Sequence, residues 1–124
     1  MTAPEPKIER YGHVEGPGRP TMSLGVAQGD WISICTTAKN RPAGAEDQTR
    51  QIFAAFDGYL AQAGTDKSKL LTAQVWLRDM ADYDAMNAAW NDWIDPANPP
   101  TRSCMRADMA RPDTLVEIRI TAVR

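Results

Sequence analysis

Arg102 and Glu117 are the ionisable residues of this sequence best placed to do chemistry together. Both lie in stretches that read as β-strands near the end of the chain, within NPPTRSCMRADMARPDTLVEIRITAVR. A guanidinium can hold a carboxylate through two parallel N–H bonds, fixing its orientation as well as its position. A carboxylate on a neighbouring strand can accept a proton from water. The same two residues can instead form an ion pair across a hairpin, and the residue types alone favour that structural reading. Arg119 reads as a partner for Glu117 or as a solvated group. Cys35 and Cys104 have no metal-ligand spacing, and the one histidine, His13, leaves too few donors for a zinc site. Cys104 as a nucleophile would need a nearby base. It reads instead as a small core or pocket residue.

The elements that position Arg102 and Glu117 follow from local chemistry. Pro99 and Pro100 stop any helix, because proline lacks the backbone N–H and restrains the residue before it. Arg102–Asp108 reads as a strand, Ala110-Arg111-Pro112-Asp113 as a tight reversal, and Leu115–Val123 as the clearest strand of the chain. In the last strand Val116, Ile118, Ile120 and Ala122 share a face suited to a core. Leu115, Glu117, Arg119, Thr121 and Val123 share the other. That mixed face suits a sheet covered on its second side by another subunit that encloses a few charges. Glu117 is then expected in a partly enclosed place, with Arg102 on the neighbouring strand of the same hairpin.

Upstream, residues 1–6 read as a loose tail and Lys7–Tyr11 as a short edge strand. Thr21–Gln28 and Trp31–Ala38 read as strands joined at Gly29-Asp30. Glu46–Ala63 is predicted helical, with Ile52, Phe53, Phe56, Tyr59, Leu60 and Ala63 on one face and Gly64 as its stop. Leu70–Arg78 reads as a strand with Leu71, Ala73, Val75 and Leu77 inward. Asp82–Trp93 reads as a second helix, capped by Asp82 and striped by Met86, Ala89, Trp90 and Trp93. The order β-β-α-β-α-β-β, with a further short strand at the start, predicts an α+β fold: one mixed sheet of five or six strands with both helices on one face. Trp76, Leu115 and Val123 fall on the opposite face, and burying each is worth about 1.5–3 kcal/mol, which argues for an oligomer.

The run PPTRSC followed by LVEIRITAV resembles the C-terminal signature of the Rid family, also called the YjgF family. The resemblance extends back through LLTAQVWLRDMADYDAMNAAWNDW and covers roughly the last two-thirds of the chain. It implies a chorismate-mutase-like fold, a homotrimer with pockets between subunits, and cofactor-free hydrolysis of amino-acid enamines and imines. By the same resemblance Arg102 grips a substrate carboxylate and Glu117 handles the hydrolytic water. Cys104 lines the pocket with its backbone, and Asn87 falls where the family often has asparagine, either bracing a subunit contact or lying on the helix surface. The front half departs from the best-studied deaminase branch. Met22 stands where that branch has a pocket tyrosine, and Cys35-Thr36-Thr37 stands where it has Ser-Gly-Gln. A thioether donates no hydrogen bond, so the chain reads as a divergent branch.

Composition bounds the alternatives. A chain of 124 residues points to one domain spanning 1–124. A net charge of −2, with Lys and Arg dispersed, supplies no basic field for nucleic acid, which weighs against RNA cleavage, an activity attributed to some relatives. Prolines and charges in MTAPEPKIER argue against a signal peptide, and no apolar run approaches a membrane span, so a cytoplasmic protein is expected. The expected partner is a small carboxylate, with no metal or organic cofactor, because an iminium carbon is already electrophilic. A binding module that grips 2-oxoacids without hydrolysis is the alternative.

Overall fold

The computed structural model describes residues 7–124; the tail expected at residues 1–6 lies outside them. The chain runs β1 (Glu9–Val14), β2 (Met22–Gln28), β3 (Trp31–Thr37), α1 (Ala45–Gln62), β4 (Leu70–Leu77), α2 (Tyr83–Trp93), β5 (Thr101–Arg106) and β6 (Val116–Val123). Single 3₁₀ turns at Lys67–Lys69 and Met80–Asp82 precede β4 and α2. The strands form one mixed sheet in the order β1-β2-β3-β6-β4-β5. The expected α+β architecture, with six strands and two helices, is the observed one. No helix among the described residues is long and apolar enough to cross a membrane.

Each helix forms where its apolar spacing predicts. Ile52, Phe53, Phe56 and Leu60 of α1 and Met86, Ala89, Trp90 and Trp93 of α2 are buried, and the two stripes meet where Phe53 stacks on Trp93 at 4.2 Å. Beneath them lie Ile32 and Ile34 of β3, Ala73, Val75 and Leu77 of β4, and Val116, Ile118, Ile120 and Ala122 of β6. Gly64 ends α1 at φ +83°, a backbone region that costs glycine little.

Three local expectations are corrected. A bulge between Leu70 and Thr72 turns Leu70 into the core and leaves Leu71 44% exposed, reversing the inward position expected for Leu71. Asp82 precedes α2 without a side-chain cap; Asp79 instead accepts from the Ala81 amide and starts the 3₁₀ turn ahead of the helix. Leu115 falls just before β6, where it packs against the core.

The larger correction concerns the C-terminal hairpin. β5 and β6 are not paired. β5 runs parallel to β4 at the sheet edge, and β6 lies antiparallel between β3 and β4. Residues 107–115 therefore cross over β4. Two side chains hold this crossover. Arg78 donates to the carbonyls of Thr114 (3.2 Å), Met109 (3.3 Å) and Arg111 (2.7 Å). Gln48, fully buried at the start of α1, donates to the carbonyls of Arg41, Ala43 and Asp113 and accepts from the Leu115 amide.

Candidate functional site

Register decides where the two predicted site residues point. Arg102 pairs with Ala73, whose side chain is buried beneath the helices, so Arg102 leaves the sheet on the helix side. Glu117 pairs with Trp76 and Thr37 and lies between the buried Val116 and Ile118, so it leaves on the opposite, open side. β4 separates them by two strand spacings, and their partners Ala73 and Trp76 are three residues apart. With ~4.8 Å between strands and ~3.3 Å per residue, their Cα atoms lie roughly 14 Å apart. The alternative of an ion pair between Arg102 and Glu117 across a hairpin is not realised.

Arg102 instead sits against α2. Its guanidinium carbon lies 5.0 Å from the Trp90 ring centroid and 5.9 Å from that of Tyr83. One terminal nitrogen approaches the Met86 sulfur at 3.7 Å, and the other lies 3.4 Å from the Tyr83 hydroxyl. Helical spacing places Tyr83, Met86 and Trp90 on the side of α2 that faces β5. Among the described residues Arg102 makes no ion pair. Aromatic faces and a thioether stabilise a cation without neutralising it. Most of the guanidinium's five N–H donors thus remain for an anion.

Asn87 lies on α2 between Tyr83 and Trp90, at the i+4 and i−3 positions. Its Oδ1 is buried and finds no hydrogen-bond partner among the described residues. Cys104 pairs with Val75 and packs against the core, and burial pushes its thiol up despite the nearby Arg102 charge.

Cys35 and Glu117 come together on the open face. The Cys35 thiol donates to Glu117 Oε2 at 3.7 Å. Burial, reinforced by the Glu117 charge, pushes the thiol up to about 11, so it stays protonated near neutrality and is a poor nucleophile. Thr36 and Thr37 end the same strand, and Thr37 pairs with Glu117. Met22 is exposed at the start of β2. A hollow of about 340 Å³ opens beside Cys35, bordered also by Ser33, Trp31 and Arg119.

The structure thus divides the predicted site into two clusters: Arg102 and Asn87 with α2 at the β5 edge, and Glu117 with Cys35 in mid-sheet. From sequence Trp90 reads as packing alone, and Tyr83 and Gln48 carry no assigned role. Tyr83 shows its signal in hindsight, lying three and seven residues before Met86 and Trp90. Gln48 occupies the helical position that leads to Ile52 and Phe56, and a polar residue on an apolar stripe marks a buried bond network.

A mixed six-stranded sheet with both helices on one face is the architecture expected of a Rid protein. The family profile described as Endoribonuclease L-PSP matches residues 29–124, and the chain belongs to this family, which includes the YjgF and RutC proteins. A RutC family protein of Haemophilus ducreyi is 49% identical over 78 residues, 63% of this chain and 67% of that protein. The 3-aminoacrylate deaminase RutC of Acinetobacter baylyi is 32% identical over 78 residues, 63% of this chain and 61% of its own length. The crystal structure of NMB1025, a YjgF family member from Neisseria meningitidis, superposes with a TM-score of 0.83 at 36% identity, covering 97% of each chain.

Proposed function

We propose that this protein hydrolyses reactive enamine and imine intermediates of amino acids to 2-oxoacids and ammonia, without a cofactor. The observation that carries this reading is the Arg102 guanidinium, held by Tyr83, Met86 and Trp90 without an acidic partner among the described residues. Kinship to a relative named 3-aminoacrylate deaminase supports the reaction class. In the proposed step the substrate carboxylate lies on Arg102. Water adds to the iminium carbon while Glu117 takes its proton. Return of that proton to nitrogen lets the C–N bond break, and Glu117 takes the hydroxyl proton as the carbonyl forms and ammonia leaves. No metal or organic cofactor takes part.

Within one chain Arg102 and Glu117 leave opposite faces of the sheet, too far apart for one small substrate. The reading therefore requires Arg102 of one subunit to work with Glu117 of the next, in a cytoplasmic homotrimer with its pockets between subunits. In this proposal the Cys104 backbone lines the pocket, and Asn87 braces the neighbouring wall.

The test is purified protein added to 2-iminoacids generated in place by an amino-acid oxidase. Faster release of 2-oxoacid and ammonia, lost in Glu117→Ala, is the expected result; release no faster than without protein, across several side chains, refutes it. The second reading, a carboxylate-binding module, is favoured by one observation: Cys35, held as a thiol against Glu117, occupies the carboxylate's side toward β3. It predicts that 2-oxoacids raise the melting temperature, that Arg102→Ala abolishes this, and that turnover is absent.

A further inference from the structure

We propose that the open sheet face carries a second site, for a small oxyanion, built on Arg119 and the hydroxyl and amide side chains beside it. Register sets the cluster. Cys35, Arg119, Gln74 and Ser103 align across β3, β6, β4 and β5, and Ser33, Thr121 and Thr72 align in the next outward-pointing row. A hollow of about 350 Å³ lies over the β6–β4–β5 part of this patch, and Arg119 also borders the hollow beside Cys35. No acidic residue lines either one.

The donors of the cluster are largely uncommitted. Arg119 makes no ion pair among the described residues, although Glu117 is the next outward residue of its own strand. Glu117 turns toward the Cys35 thiol, and the Arg119 guanidinium lies over Trp76 at 5.7 Å from the ring centroid. The Thr72 and Thr121 hydroxyls touch at 2.6 Å, so one of them donates to the other and the second keeps its proton for another acceptor. The Gln74 amide and Ser103 hydroxyl have no hydrogen-bond partner among the described residues. The Thr101 hydroxyl, by contrast, donates to the Leu71 carbonyl and stands outside the set. One guanidinium ringed by neutral donors suits a phosphate or carboxylate group, since each charge-assisted bond is strong and the neighbouring Glu117 is turned to Cys35.

This site differs from the proposed deaminase site in its cation, Arg119 rather than Arg102, although it adjoins Cys35 and Glu117 on the same face. Arg102 borders the larger hollow, but its guanidinium turns away onto α2. The experiment is isothermal titration of the native oligomer with inorganic phosphate and, in parallel, with pyruvate, using wild type, Arg119→Gln and Arg102→Ala. Phosphate is expected to bind wild type and Arg102→Ala alike, and Arg119→Gln to weaken it about tenfold or more, the worth of one charge-assisted bond. If Arg119→Gln does not fold, Thr72→Val combined with Ser103→Ala is expected to weaken phosphate several-fold. No phosphate binding to wild type, or binding unchanged in Arg119→Gln, overturns the proposal. Pyruvate binding that survives when Arg102→Ala is combined with Arg119→Gln counts against the deaminase reading instead, so the two failures are distinct.

Discussion

Arg102 lies in β5 and Arg78 just past the end of the adjacent β4, yet their guanidinium groups meet opposite surroundings. Arg78 donates to three backbone carbonyls and holds the crossover from β5 to β6 in place. Arg102 is held by two aromatic faces, a thioether and a phenol, contacts that fix its position while leaving donors open. An arginine that builds structure has its hydrogen bonds satisfied within the chain. One that is positioned mainly by packing keeps them for a ligand. Burial does not separate the two, since both are half-buried; the chemistry of the neighbours does.

The comparison is most sharply tested at Arg102. Arg102→Ala is expected to lower imine hydrolysis about a thousandfold, ~4 kcal/mol of lost carboxylate binding and orientation, with little change in melting temperature. A large drop in thermal stability with turnover intact would reverse the roles of the two arginines. Gln48→Leu comes next. It leaves three carbonyls and the Leu115 amide without their partner and is expected to cost about 3 kcal/mol in denaturant unfolding. Arg78→Ala is expected to cost about 2 kcal/mol, part of its network being exposed, while 2-oxoacid binding is retained. Equal loss of binding in Arg78→Ala and Arg102→Ala would erase the distinction drawn between them.

The smallest effect concerns Cys35. Its proton is held more tightly in the folded protein than in the unfolded chain, where the thiol titrates near 9. The stability this contributes is complete below pH 9 and is lost as pH rises through about 11. Alkaline unfolding curves are expected to show this decline in wild type and a flatter limb in Cys35→Ser. Iodoacetamide is expected to modify Cys35 slowly at pH 8 and faster toward pH 11; rapid modification at pH 8 contradicts a thiol shielded by Glu117.

Much of the fold was legible because its signals are local. The apolar stripes of α1 and α2, the Gly29-Asp30 turn and the alternation in β6 each arise within a few residues. The site was legible in its residues and not in its arrangement. Ala110-Arg111-Pro112-Asp113 has the composition of a tight turn, so β5 and β6 read locally as a hairpin. In the protein the same stretch belongs to a longer crossover, and nothing within residues 98–124 states that β4 will lie between the two strands. The bulge at Leu70–Thr72 was hidden for a related reason: two leucines in succession fit either register, and only packing beneath α1 and α2 chooses one.

Local pattern along the chain is enough to specify which segments become strands and helices, which residues of β6 face the core, and that an arginine and a glutamate stand near the C-terminus. Packing of the whole chain is what inserts β6 between β3 and β4, turns Arg102 to α2, and sets Glu117 away from it beside Cys35. The difference is one of range. Backbone propensity and side-chain alternation act over neighbouring residues, whereas strand order is set by how two amphipathic helices and six strands together bury their apolar faces, a sum that no single segment carries.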